Sequence, residues 1–122
     1  MNRSIQDFTD LIAWQKDHQL VLDTYTLSKK FPDTERFGLT NQITRAAVSI
    51  TSNIAEGFGR STKKDKVHFF VIAKGSALEV RSPIRIAKDL GYITEDECTM
   101  HDTSAIEVTK LISGIIRSAQ DH

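Results

Sequence analysis

Covalent staples are missing from this chain. Its one cysteine, Cys98, has no partner for an intramolecular disulfide, so packing alone must hold the fold. Low cysteine use suits a reducing cytoplasm, the expected compartment. Long apolar runs are missing too. No stretch approaches the roughly 18 apolar residues of a membrane span. The segment Met1 to Asp10 is polar and lacks the apolar core of a signal peptide. Net charge is zero, with 16 Lys and Arg against 16 Asp and Glu. The chain as a whole therefore has no bias towards anionic partners.

Catalytic and metal constellations are equally scarce. Di-iron bundles use Glu-x-x-His pairs on facing helices, and no Glu-x-x-His occurs here. Glu97 and His101 lie four apart but have no second copy. His18, His68, His101 and His122 are far apart in sequence. His18 falls on an apolar stripe and reads as a hydrogen-bonded core residue. Cys98 lacks a neighbouring Cys or His at metal spacing, and nothing points to a base that would activate it. The stretch Gly57-Phe58-Gly59-Arg60-Ser61-Thr62-Lys63-Lys64 lacks the G-x-x-x-x-G-K-[ST] spacing of a phosphate loop. No metal, no cofactor and no enzyme activity are expected. A metal-dependent oxidoreductase is the weakest of the readings weighed.

Helical period is what the chain does have. At 122 residues it suits one domain, with residues 1–9 as a flexible leading segment. A first helix is predicted over about 10–30, with Leu11, Trp14, His18, Val21 and Tyr25 as its stripe and Pro32 closing it. A second is predicted over 38–58 on Leu39, Ile43, Ala47, Ile50 and Ile54. Gly57 and Gly59 are expected to stop it through the left-handed conformation. The third opens at Thr62, which can cap the N–H of Asp65. Its stripe is Phe70, Ala73, Ala77, Val80, Ile84 and Ala87, with Gly91 just past its end. Pro83 lies inside it, and a kinked single helix is expected because the stripe keeps its phase. The fourth begins with a Thr94/Glu97 capping box flanked by Ile93 and Cys98, and buries Val108, Leu111, Ile112, Ile115 and Ala119. No segment alternates with period 2. The fold class expected is all-α, an antiparallel up-down-up-down four-helix bundle.

Charge is unevenly spread along that frame. Residues 1–36 carry −1, residues 37–91 carry +5 and residues 92–122 carry −4. The two larger parts can neutralise each other within one fold, or the middle can offer a basic face. Arg60, Lys63, Lys64 and Lys66 cluster at the start of the third helix, where free N–H groups favour anions, and a nucleic-acid backbone contact is plausible there. The second helix also carries a polar stripe, Gln42, Arg45, Ser49, Asn53, Glu56 and Arg60. Its short side chains are poor helix formers. With Gly75, Ser76 and Glu79 on the third helix, Arg45, Ser49, Asn53 and Glu56 read as an oligomer interface or a polar network.

The run RAAVSITSNIAEGFGR (Arg45 to Arg60), with FGLTNQI before it and FFVIAKGSALEV after it, resembles a known family. It is similar to the small bacterial four-helix-bundle proteins called 23S rRNA intervening-sequence proteins. That family includes the accessory variability determinant of diversity-generating retroelements. The likeness runs from Leu11-Ile12-Ala13-Trp14-Gln15-Lys16 to Leu90-Gly91-Tyr92-Ile93, and Asn53-Ile54-Ala55-Glu56-Gly57 is its specific core. It implies a ring of five bundles with a surface that engages nucleic acid, and in the retroelement member a ring that binds a reverse transcriptase. Arg45, Asn53, Glu56 and Arg60 match the family's polar stripe, and Gly75, Ser76 and Glu79 its second motif. Pro83 and the zero net charge depart from its pattern. The expected function is a homo-oligomeric, pentameric scaffold for RNA, DNA or a nucleic-acid enzyme such as a reverse transcriptase. The alternative is a protein-interaction module whose acidic fourth helix meets a basic partner.

Overall fold

The computed structural model describes residues 4–121. Four helices follow one another: α1 (Ile12–Ser28), α2 (Leu39–Phe58), α3 (Lys63–Asp89) and α4 (Glu95–Asp121). Among the described residues there is no strand. Close backbone contacts join α1 to α2, α2 to α3, α3 to α4 and α4 to α1, while the diagonal pairs make none. With short connections, that pattern is an antiparallel up-down-up-down bundle. The α2–α3 pairing is the most extensive.

Local chemistry sets most of the ends. Thr62 accepts from the N–H of Asp65 at 3.1 Å, so the predicted cap of α3 is present. At α4, Thr94 Oγ1 accepts from Glu97 N and Glu97 Oε1 accepts from Thr94 N, a complete capping box. Ile93 and Cys98 beside it are both buried. At the end of α3, Gly91 has φ +82. Tyr92 N donates to Ala87 O and Gly91 N to Lys88 O, both at 2.9 Å, which is a Schellman closure. A side chain on residue 91 would have to enter the left-handed region, so glycine is required there.

The predicted stop of α2 works differently. Gly57 and Gly59 do not have positive φ. Gly57 lies inside α2 and is buried. A Cβ at residue 57 would come within 2.6 Å of the Phe70 ring. Glycine is needed there for close approach of α3, not for a turn. Gly59 caps α2 with ordinary right-handed geometry.

Ile43, Ile50, Ile54, Val80, Ile84, Val108 and Ile112 fill the core with almost no exposure. The stripes predicted for α2 and α3 point inward, and α3 runs unbroken through a buried Pro83. α4 also buries Cys98, His101 and Ala105. α1 is rotated from its predicted face. It buries Ala13, Asp17, Leu20, Thr24 and Ser28, while Trp14 and Val21 pack at the flank and His18 and Tyr25 are exposed. Isoleucines already fill the bundle centre, and small Ala13 and Thr24 fit against them where Trp14 would not. His18 is thus not a core residue; it stacks on Trp14 with ring centroids 4.8 Å apart.

Of the leading segment expected to be flexible, residues 1–3 lie outside the described residues. Phe8–Asp10 form a short 3-10 turn, with Asp10 Oδ2 accepting from the N–H groups of Gln6 and Asp7. Phe8 meets the Trp14 ring edge-on at 5.3 Å. At the opposite pole, Tyr92 Oη donates to Glu35 Oε2, and Glu35 Oε1 accepts from Leu39 N. That pair links the α1–α2 and α3–α4 connections.

Candidate functional site

The α2–α3 connection builds one candidate site. Only residues 59–62 separate the two helices, so Arg60, Lys63, Lys64 and Lys66 emerge together. Their freedom differs. Lys66 Nζ donates to Phe58 O at 2.7 Å and approaches Gly57 O at 3.5 Å, so it closes the carbonyl end of α2. Arg60 pairs with Glu56 at 3.1 Å and stacks over the Phe69 ring at 4.7 Å. Lys63 reaches Gln120 O at a long 3.4 Å. Lys64 is exposed and makes no hydrogen bond or ion pair among the described residues. Two of the four cations are therefore tied to local structure, and Lys63 and Lys64 remain available to an anion.

The polar stripe divides in a similar way. Ser49 Oγ and Ser76 Oγ lie 2.9 Å apart across the α2–α3 seam. Asn53 Nδ2 donates to Ser49 O at 2.8 Å and to Ser49 Oγ at 3.1 Å. Ser49, Asn53 and Ser76 thus form a half-buried network that holds the two helices together. Arg45, Glu56 and Glu79 are exposed and stand outside it. Arg45 and Glu79 line an open groove with Phe37, Asn41, Gln42 and Ser49. Phe37 at its edge is 86% exposed. Gly75 faces open space, with nothing within 4 Å of a Cβ built on it.

The outer side of α3 is unusual. Val71, Ile72, Leu78, Ile86 and Leu90 are all exposed, Leu78 to 57% and Val71 to 53%. At 100° per residue they fall, with Gly75 and Ser82, on the side opposite Ala73, Ala77, Val80 and Ile84. α3 is therefore apolar inside and largely apolar on this outer face, which Glu79 and Asp89 interrupt. α1 is exposed at Ile12, Leu22 and Tyr25, on the diagonally opposite helix.

Three features were missed from sequence. Asp102 on α4 accepts from Arg81 Nε at 2.7 Å and from both terminal nitrogens of Arg85 at 2.8–2.9 Å. The Arg85 and Arg81 guanidiniums hold its carboxyl down at about 2, and Asp102 in turn raises Arg85. His101 is buried with its Nε2 2.8 Å from Thr24 Oγ1. Its place in the series Cys98, His101, Ala105, Val108, Ile112, at spacings of 3, 4, 3 and 4, was the available signal. Asp17 is 0% exposed and neither of its oxygens has a hydrogen-bond partner. Burial pushes it up to about 8, against a weaker lowering by the nearby Thr51 backbone, which makes no well-formed bond to it. No cluster of three or more His, Cys, Asp or Glu suited to a metal is present among the described residues. None of the described helices is long and apolar enough to cross a membrane.

The sequence profile of the 23S rRNA-intervening sequence protein family matches residues 9–114. The chain belongs to this family. The match takes in the polar stripe, the cationic turn and the exposed apolar residues of α1 and α3 of the intervening-sequence protein. Comparison with curated proteins gives no match. Among solved structures, the chain is similar to a crystal structure of a protein of unknown function from the S23 ribosomal protein family of Bacteroides thetaiotaomicron. The identity is 24%, with 86% of this chain and 98% of that chain covered at a TM-score of 0.79. That likeness establishes the bundle shared by the two proteins.

Proposed function

We propose that this intervening-sequence protein is a non-enzymatic scaffold that assembles into a ring and presents its cationic turns to nucleic acid or to an enzyme acting on it. The two faces of α3 carry the reading. One fills the core, and the other is an exposed, largely apolar stripe that a lone soluble chain has no use for. The exposed apolar residues of α1 lie on the diagonal helix. An apolar stripe on one side and separate exposed apolar residues on the other, Ile12, Leu22 and Tyr25, favour head-to-tail association, which closes into a ring when the rotation permits. The family resemblance sets the expected number at five copies.

The ring matters to affinity. One chain offers Lys63 and Lys64, too few phosphate contacts for useful binding at physiological salt. Several linked copies act together. The alternative of an acidic α4 docking a basic partner is weaker. Asp102 is held by Arg81 and Arg85, Glu97 by Lys30, and Glu107 lies 3.6 Å from Lys16. Much of that acidity is neutralised inside the chain.

Light scattering after size exclusion tests the assembly. A mass of five chains is expected, and Leu78→Lys should reduce it towards one chain without loss of helicity. Lys63→Glu with Lys64→Glu should abolish binding to mixed RNA or DNA at low salt while the mass is unchanged. A parent protein that stays monomeric at micromolar concentration overturns the assembly, and a double variant that binds like the parent overturns the site.

A further inference from the structure

The α1–α4 side of the bundle holds a groove with unspent hydrogen-bonding capacity. Its volume is about 390 Å³, near the lower end of small-ligand sites. Leu20, Leu27 and Met100 supply apolar walls, and Asp23, His101 and Ser104 supply polar groups. The Lys30–Glu97 ion pair spans it at the end nearest the α1–α2 connection. Lys30 is therefore already compensated.

Proton bookkeeping assigns the imidazole. Thr24 Oγ1 has one hydrogen, and it donates that to Leu20 O at 2.6 Å. It must then accept from His101, so His101 carries its proton on Nε2. The lone pair on Nδ1 is left as an acceptor. That atom is buried and has no partner, in a residue only 5% exposed. A buried acceptor without a donor costs about 1–3 kcal/mol in a folded protein. Burial holds the ring below its usual value, so it does not relieve the deficit by taking up a proton. The other groups are acceptors as well. Ser104 Oγ already donates to Met100 O. Asp23 receives a bond from Gln19 Nε2 and makes no ion pair among the described residues. Its charge is felt at His101.

We infer that this groove is a binding site for a small alkylammonium ion. The walls take the alkyl chain, the Asp23 carboxylate compensates the charge, the N–H groups supply the donors that Asp23 and Ser104 lack, and a small turn of the closed-off His101 ring brings Nδ1 to the same guest. Met100, 73% exposed at the rim, is long and unbranched enough to fold over the guest. A neutral or anionic guest leaves the carboxylate unanswered. The site lies on α1 and α4, away from the cationic turn between α2 and α3, and does not depend on the nucleic-acid reading.

Long-range ¹H–¹⁵N spectra of the His101 ring, recorded while n-butylammonium is added at pH 7, test the inference. The parent should show a saturable shift at Nδ1 in the millimolar range. Asp23→Asn, an exposed substitution that leaves the core untouched, should weaken binding several-fold. n-Butanol should produce no comparable shift, and the Lys63→Glu, Lys64→Glu variant should bind like the parent. Absence of a saturable shift would mean that water alone serves the groove. Equal binding of n-butanol, or undiminished binding by Asp23→Asn, would reduce the site to an apolar crevice. Each of these results overturns the proposal.

Discussion

A single carboxyl governs much of the pH response expected of this molecule. Asp17 is buried without a partner and titrates at about 8, against an ordinary value of 3.8. It is protonated in the folded chain at neutral pH and ionised in the unfolded one. Its favourable effect on stability is complete below about pH 4 and is lost as the pH rises to about 8, a change on the order of 5 kcal/mol. Asp102 acts in the opposite sense, but only in acid, because its contribution is present above about 3.8 and is lost towards 2. Thermal melts between pH 5 and 8.5 should therefore fall with pH. Asp17→Asn should flatten that slope, and Asp17→Leu should raise the melting temperature at pH 8 by removing the orphaned group. A slope unchanged in Asp17→Asn would show that the carboxyl finds a partner in solution. Gly57 is the second telling residue. Its alanine variant must displace the Phe70 ring or part α2 from α3, at a cost of about 1–3 kcal/mol by overpacking. Denaturant unfolding would measure it, and a neutral Gly57→Ala would mean that the seam is looser than the distances indicate.

At the scale of the helix, legibility followed amphipathicity. α2 and α3 carry continuous inner stripes, and their inner faces and bounds were readable from spacing, as was the Thr62 cap of α3. How α2 ends was not, because Gly57 and Gly59 do not take the left-handed conformation expected of them. The inner face of α1 was not readable either. It offers two competing stripes, Leu11-Trp14-His18-Val21-Tyr25 and Ala13-Asp17-Leu20-Thr24-Ser28, and the more apolar one lost. Side-chain volume at the bundle centre decided between them, and volume depends on three other helices that a local period cannot see. The site was legible to a similar degree. The cationic cluster could be read from sequence, but the loss of Lys66 to the end of α2 could not, because it requires knowing where the carbonyls point. The Asp102 clamp joins residues on two helices with no sequence spacing to announce it. Gly75 gives α3 a direct test. With nothing near its missing Cβ, Gly75→Ala should stabilise the helix by about 1 kcal/mol. Circular dichroism melts of assembled and dissociated protein would check this. Stabilisation confined to the dissociated form would place another chain against that face.

Across the whole molecule the four helices are not equally committed. α2 and α3 share the most extensive contact, reinforced by the Ser49–Ser76–Asn53 network and by Gly57 against Phe70. α1 presents Asp17, Thr24 and Ser28 to the interior and makes the smaller contacts with α2 and α4. Local opening should therefore begin there. Native-state hydrogen exchange should show α1 amides exchanging through a lower-energy opening than those of α2 and α3, and the difference should widen above pH 8 as Asp17 ionises. Uniform protection across all four helices would mean that the bundle opens only as a unit. The molecule also carries its own gauge for that motion. Its one indole, Trp14, sits half-buried on α1 between Phe8 and His18. Light emitted by this chain on excitation of tryptophan comes from the helix expected to leave first. A red shift of that emission ahead of any loss of ellipticity would time the departure of α1 without a label.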